Sequence, residues 1–164
     1  MPIPTGYTIT DIGPALRGVV QPLIDDSWAG PEIVVNGRLW DTRRLPGIAA
    51  LDESGGLAGY LLYFYHGGVC EIMVLESLRE NAGVGTALIE RVKKIARERN
   101  VKIVAVTTTN DNLRAIRFYQ RRGFTIKELR PNILEISRQL KPGIPLLGNE
   151  GIPIRDEIEF EHVL

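Results

Sequence analysis

Three small groups of residues in this sequence have types and spacings that suit chemistry. In NAGVGTALIERV, Gly83 and Gly85 fall where a long helical pattern begins. Glycines there let the backbone turn sharply and open the first-turn amides, which have no intrahelical acceptor, to a ligand; such a turn is a seat for phosphate. A plain tight turn is the commoner meaning of an isolated GxG, so phosphate binding needs a second site to support it. Glu71 is a carboxylate inside the apolar run CEIMVL, and strand alternation points Glu71, Met73 and Leu75 to one face. Cys70 and His66, four residues apart, would share a face of a continuous strand as a nucleophile and base. Gly67 and Gly68 break that strand, which leaves Cys70 as core and His66 as a turn residue.

The elements that position these groups can be read in order. Tyr7 to Ile12 alternates as a first strand, and Pro14 opens a helix over Ala15 to Asp25 whose second half is weakened by Pro22. Ser27 to Pro46, with Trp28, Trp40, the Asn36-Gly37 pair and Arg43 and Arg44, reads as a long loop or two short helices. The tryptophans either cap the core or line a pocket. Ile48 to Leu51 and Leu57 to His66 form an antiparallel hairpin around DESGG, and Gly67-Gly68 turns the chain into Val69 to Leu75. Val84, Leu88, Val92 and Ile95 then recur at helical spacing. Val101 to Val106 is apolar at nearly every position, as expected of an inner strand parallel to the one before the helix.

Asp111 or Asn112 caps a following helix, Leu113 to Arg122, which Gly123 ends. Phe124 to Leu129 is a strand, Pro131 to Leu140 a short helix, and Lys141 to Pro153 a loop. Arg155 to Val163 alternates charged and apolar residues as a half-exposed last strand.

A length of 164 residues fits one domain, residues 1–164, with a real core. Twenty basic and twenty acidic residues cancel, so no global charge draws the chain to nucleic acid or an acidic membrane. One cysteine rules out an internal disulfide, leaves too few soft ligands for a zinc cluster and favours a reducing compartment. The start MPIPTGYTIT has no basic-then-apolar signal pattern, and the longest apolar run, Leu57 to Tyr65, is too short to cross a bilayer. The expected location is the cytoplasm.

AGVGTALI after one strand and NDNLRAIRFYQRRGF after the next together resemble the GNAT superfamily of acyl-CoA-dependent N-acetyltransferases. The likeness covers about Gly47 to Phe124. It implies an α/β domain with a mixed, mostly antiparallel sheet of six to seven strands, splayed at the parallel pair Val69 to Leu75 and Val101 to Val106. Acetyl-CoA would enter that split. The family's R/Q-x-x-G-x-G/A motif falls on Glu80 to Gly85, with Glu80 where the family has a cationic or neutral polar residue. Glu80 is therefore expected to face away from the pyrophosphate, with Arg79 or a neighbouring base compensating. The amides of Ala82, Gly83, Val84, Gly85 and Thr86 would cradle the pyrophosphate. Asn112, Ala115 and Tyr119 match the second motif, N-x-x-A-x-x-x-Y: Asn112 toward the pantetheine arm, Ala115 small enough to let it lie close, Tyr119 near the sulfur.

The implied reaction moves an acetyl group to a primary amine by direct attack in a ternary complex. Glu71 resembles the strand glutamate that serves some members as base, with Glu76, Asp41 and Glu157 as competing carboxylates. A backbone amide near Leu75 would stabilise the oxyanion, and Tyr119 would protonate the leaving thiolate. The acceptor could be a polyamine, an amino-sugar, an amino acid or a protein amine. Asp156, Glu157 and Glu159 could attract a cation, although an alternating acidic strand is more often a solvated edge; Arg38, Arg43 and Arg44 could equally favour a carboxylate, and the sequence does not choose. A non-catalytic sensor of CoA or acyl-CoA and an interaction domain are the alternatives. The terminal strand offers an edge for a homodimer.

Overall fold

A computed structural model describes residues 5–164; Met1 to Pro4, the start of the stretch read above for a signal pattern, lie outside the described residues. One seven-stranded sheet runs in the order β1 (Thr8–Asp11), β4 (Gly47–Leu51), β5 (Leu57–His66), β6 (Val69–Ser77), β7 (Ile103–Thr109), β9 (Glu157–Val163), β8 (Thr125–Arg130). All neighbours are antiparallel except β6 and β7, which pair in parallel over Val69–Ile72 and Ile103–Val106. Beyond that register the two strands part. Met73–Ser77 stays with β5 while Thr107–Thr109 goes with β9, which leaves a split in the middle of the sheet.

Helix α2 (Val84–Glu98) covers one face of the sheet. Its buried Val84, Leu88, Ile89, Val92 and Ala96 meet Leu61, Cys70, Ile72, Val104 and Val106 in one core cluster. Helix α1 (Pro14–Trp28) covers the other face, where Val20 and Ile24 pack with Leu45, Tyr60, Leu62, Met73 and Val74. Helices α3 (Leu113–Arg121) and α4 (Leu134–Leu140) follow β7 and β8.

Four expectations are corrected. Helix α1 continues through Pro22 to Trp28, because Val20 and Ile24, fully buried on either side of the proline, hold both halves of the helix in the core. Tertiary packing overrides the break. Ser27 to Pro46 is neither loop nor helix pair: β2 (Glu32–Val35) and β3 (Arg38–Asp41) form a hairpin, followed by a 3₁₀ turn at Thr42–Arg44. Asn36 and Gly37 both take positive φ, 52° and 68°, as a two-residue type I′ turn demands.

Third, the terminal strand β9 is not an edge; β7 and β8 flank it on both sides, so it offers no free edge to a second subunit. Fourth, Glu71, Met73 and Leu75 do not share a face. Leu62 pairs with Val74 but Tyr63 with Ile72, so Met73 is an extra residue in β6, a bulge that reverses the alternation. Met73 and Val74 both join the α1 side, and Leu75 packs on the α2 side.

Candidate active site

The split is bounded on one side by the start of α2. Gly83 caps that helix in the left-handed region at φ 75°, with no side chain closing the first turn. The first helical hydrogen bond runs from the Ala87 N–H to the Gly83 carbonyl at 3.0 Å, so the amides of Val84, Gly85 and Thr86 precede it and have no intrahelical acceptor. This is a donor cluster suited to an anion. Gly85 has a different task from the one its position suggested: a Cβ there would lie 2.9 Å from Cζ of Phe118, so it is the seam between α2 and α3 that requires a glycine. Gly59 plays the same part below, where a Cβ would meet Val84 Cγ1 at 2.6 Å and the Glu76 carbonyl at 2.7 Å. The glycine turn therefore sits directly on β5.

The opposite wall is α3. Asn112 caps it, its Oδ1 accepting from the Ala115 N–H at 3.1 Å. Asp111, the other cap candidate, is spent elsewhere. It is buried, accepts from the Thr109 hydroxyl at 2.6 Å and from Asn149 N and Nδ2 at 3.1 Å, and so pins the loop before β9. Tyr119 comes two turns after the cap, its ring packed between Phe118, Phe124 and Phe160. Burial raises its phenol well above the ordinary value, so the hydroxyl is a proton donor throughout the neutral range.

Between these walls lies a cleft of about 500 Å³, lined by Leu75, Gly83 to Thr86, Asn112, Ala115 and Tyr119. That volume is in the ordinary range for small-ligand sites. Open amides, a free tyrosine hydroxyl and a run of arginines suit a phosphorylated ligand with an apolar arm. Ala82 and Glu71 are not among the lining residues. Glu80 is exposed and its carboxylate meets Arg114 at 3.1 Å; Arg79 is paired instead with Asp52. The compensating cation is thus on α3 and not beside Glu80 in sequence.

Two carboxylates of β6 have defined partners. Glu71, nearly buried, meets Nε2 of the half-exposed His66 at 2.6 Å. His66 is therefore more than a turn residue. Glu76 lines the cleft, takes the Ser27 hydroxyl at 3.2 Å and a hydrogen bond from the Tyr60 phenol, whose pKa is raised far above normal by burial and by Glu76 itself. Neither partner was visible in the sequence, since Ser27 and Tyr60 arrive from other elements.

Toward β9, Glu157 is buried and accepts from the Asn36 N–H at 3.0 Å and from Arg130 Nη2 at 3.0 Å; burial pushes its carboxyl up against the pull of that guanidinium. Arg130 also reaches Glu159 and the Thr107 hydroxyl. The acidic strand is therefore an internal charge network on which the β2–β3 hairpin tip rests. Cys70 is fully buried and its thiol is pushed up to about 12 by burial, so it is no nucleophile. Trp40 packs edge-on to Phe64 within the α1-side core, Trp28 ends α1 half-exposed, and His162 hydrogen-bonds the Gly123 carbonyl. Asp41 is held by Arg43 and Arg44. Among the described residues no cluster of three or more His, Cys, Asp or Glu is placed to hold a metal, and no helix is long and apolar enough to cross a membrane.

Comparison with known proteins agrees with this geometry. The chain is 42% identical over 137 residues to the uncharacterized protein YdhI of Bacillus subtilis strain 168, covering 84% of this chain and 86% of that protein. It is 38% identical over 142 residues to YxbD of the same organism, covering 87% and 89%. Its fold matches a GNAT family acetyltransferase from Elizabethkingia anophelis, solved with acetyl-CoA bound, at a TM-score of 0.70 and 18% identity, over 98% of this chain and 99% of that one. The model of the Acetyltransferase (GNAT) family matches residues 24–124, and with the split sheet and the open α2 turn already in view, the chain belongs to that family.

Proposed function

We propose that this protein transfers an acetyl group from acetyl-CoA to a primary amine by direct attack in a ternary complex. The observation that carries the reading is the cleft itself. It runs from the free first-turn amides of α2 to the end of β6, beyond its pairing with β7, and is lined by Leu75, Asn112 and Tyr119. Acetyl-CoA supplies an activated acyl carbon; everything else is done by the chain. The amides of Gly83 to Thr86 hold phosphate, with Ala82 shaping the turn, and Asn112 and the small Ala115 admit the arm. The backbone of β6 at Leu75, without a strand partner on the β7 side, offers a donor to the developing oxyanion.

The amine must lose a proton, because model amines with pKa values of about 8 to 10.4 are largely charged near neutrality. Glu71 and Glu76 are the two β6 carboxylates available for that step. Glu71 is assigned the base, acting through water because it stands outside the cleft lining, with His66 at 2.6 Å able to pass the proton outward; Glu76, which lines the cleft, is the competing carboxylate. Nitrogen then bonds to the acyl carbon and gives up its second proton through water, the carbon–sulfur bond breaks, and the Tyr119 hydroxyl protonates the thiolate and regains its proton from that water. The acceptor would reach this point from the side bearing Glu71 and Glu76, whose carboxylates favour a cationic amine, while Glu157 is already held by Arg130. A coupled assay of thiol release with a panel of polyamines, amino-sugars, amino acids and peptide amines tests the proposal. Acetyl-CoA binding without release on any amine would support the sensor instead.

A further inference from the structure

The cleft carries a charge that the chain as a whole does not. Basic and acidic residues cancel over the sequence, yet five arginines and only two carboxylates line this opening. Three of the five, Arg114, Arg117 and Arg121, are spaced three and then four residues apart on α3, which makes them one stripe along one helix face. Arg114 is engaged by Glu80, but both side chains are about three-quarters exposed, at 75% and 77%. Arg117 and Arg121 make no ion pair among the described residues. Arg122 is held differently, its Nε donating to the Thr86 hydroxyl at 2.8 Å and its guanidinium stacked on Phe118 at 3.6 Å. It ties α3 to the first turn of α2, so the stripe and the open amides form one rigid surface.

Glu80 puts a carboxylate next to amides built for an anion, which alone would repel phosphate. We propose that the α3 stripe Arg114, Arg117 and Arg121 supplies the cations for the CoA phosphates, and that Arg114 exchanges Glu80 for phosphate when the nucleotide arrives. This inference rests on the acetyl-CoA reading above. An exposed ion pair is weak, because solvent screens it and two long side chains must be ordered. A guanidinium meeting phosphate can use two parallel hydrogen bonds, on a site that also offers free amides, so the exchange runs toward phosphate. Glu80 thus sets the strength of donor binding without touching the reacting atoms.

The test is calorimetric titration with CoA of the wild type, Arg114→Ala, Arg117→Ala, Arg121→Ala, Glu80→Gln and the Glu80→Gln/Arg114→Ala double variant. Arg97→Ala, a charge removed from the far end of α2, is the control. Each α3 variant should weaken CoA by about three- to tenfold, while Glu80→Gln should tighten it by about two- to threefold. The gain from Glu80→Gln should be larger in the Arg114→Ala background, where Glu80 has lost its partner. The affinities should also depend less on salt in the arginine variants. If the α3 variants bind within twofold of wild type, or Glu80→Gln weakens binding, the inference is overturned while the acetyl-CoA reading stands. If the wild type fails to bind CoA, it is that reading that falls.

Discussion

Tyr119 carries a sharp expectation. With its phenol raised by burial and its hydroxyl at the cleft, Tyr119→Phe should lower kcat by about ten- to hundredfold and leave acetyl-CoA affinity unchanged. A competition titration beside steady-state rates checks the split. Cys70 should be silent: with a thiol pushed up to about 12, it should resist thiol reagents in the folded protein even at about pH 9, where an ordinary cysteine of pKa about 8.5 is mostly thiolate, and react on unfolding. Rapid labelling in the native state would contradict its burial. That Asn112, Ala115 and Tyr119 come together along one helix was legible from helical period within eight consecutive residues, whereas the roles expected of them rest on the family resemblance. The face of Leu75 was not legible, since the bulge at Met73 exists only in the register against β5. The partners of Glu76 come from Ser27, 49 residues away, and Tyr60, 16 away; no local pattern announces them.

The glycine turn, its helix and the parallel strand pair could be read from the sequence because apolar period, glycine placement and crossover rules all agree there. The β2–β3 hairpin could have been found from its Asn36-Gly37 pair, the strongest short hairpin signal, but its strands are only four residues long and lie apart from the main sheet. Substituting Gly85 should disturb the α2–α3 seam. Gly85→Ala brings a methyl to 2.9 Å of Cζ of Phe118, so the half-buried ring must shift; against the roughly 1 kcal/mol that alanine gains in a helix, denaturant unfolding should show a net cost no greater than about 2 kcal/mol. At the β4–β5 turn, Asp52 accepts from Ser54, Arg79 and Gly56, and these bonds hold its carboxyl below the usual range, the Ser54 hydroxyl foremost. A depressed carboxyl stabilises the fold above its unfolded pKa of about 3.9, and that contribution is lost as pH falls through the folded value. Asp52→Asn should therefore flatten the fall of Tm between about pH 4 and pH 2.

Across the whole chain, the sheet order that inserts β9 between β7 and β8 was the least legible feature. Alternating RDEIEFEHV looks like a solvated edge until Glu157 is seen to meet Arg130 and the hairpin tip. An internal ion-pair network and a surface one have the same pattern in sequence and differ only in what is packed over them. Removing one partner should be severe: Arg130→Met leaves Glu157 buried without its cation and should destabilise by about 3–5 kcal/mol. The proposed acetyl transfer requires a ternary complex with no acyl-enzyme. Initial velocities of thiol release, with acetyl-CoA varied at several fixed levels of an amine found active in the panel, measure this most directly. The reciprocal plots should intersect to the left of the axis. Parallel lines would mean that the first product leaves before the amine binds, which would contradict direct attack and require a nucleophile that the cleft does not present.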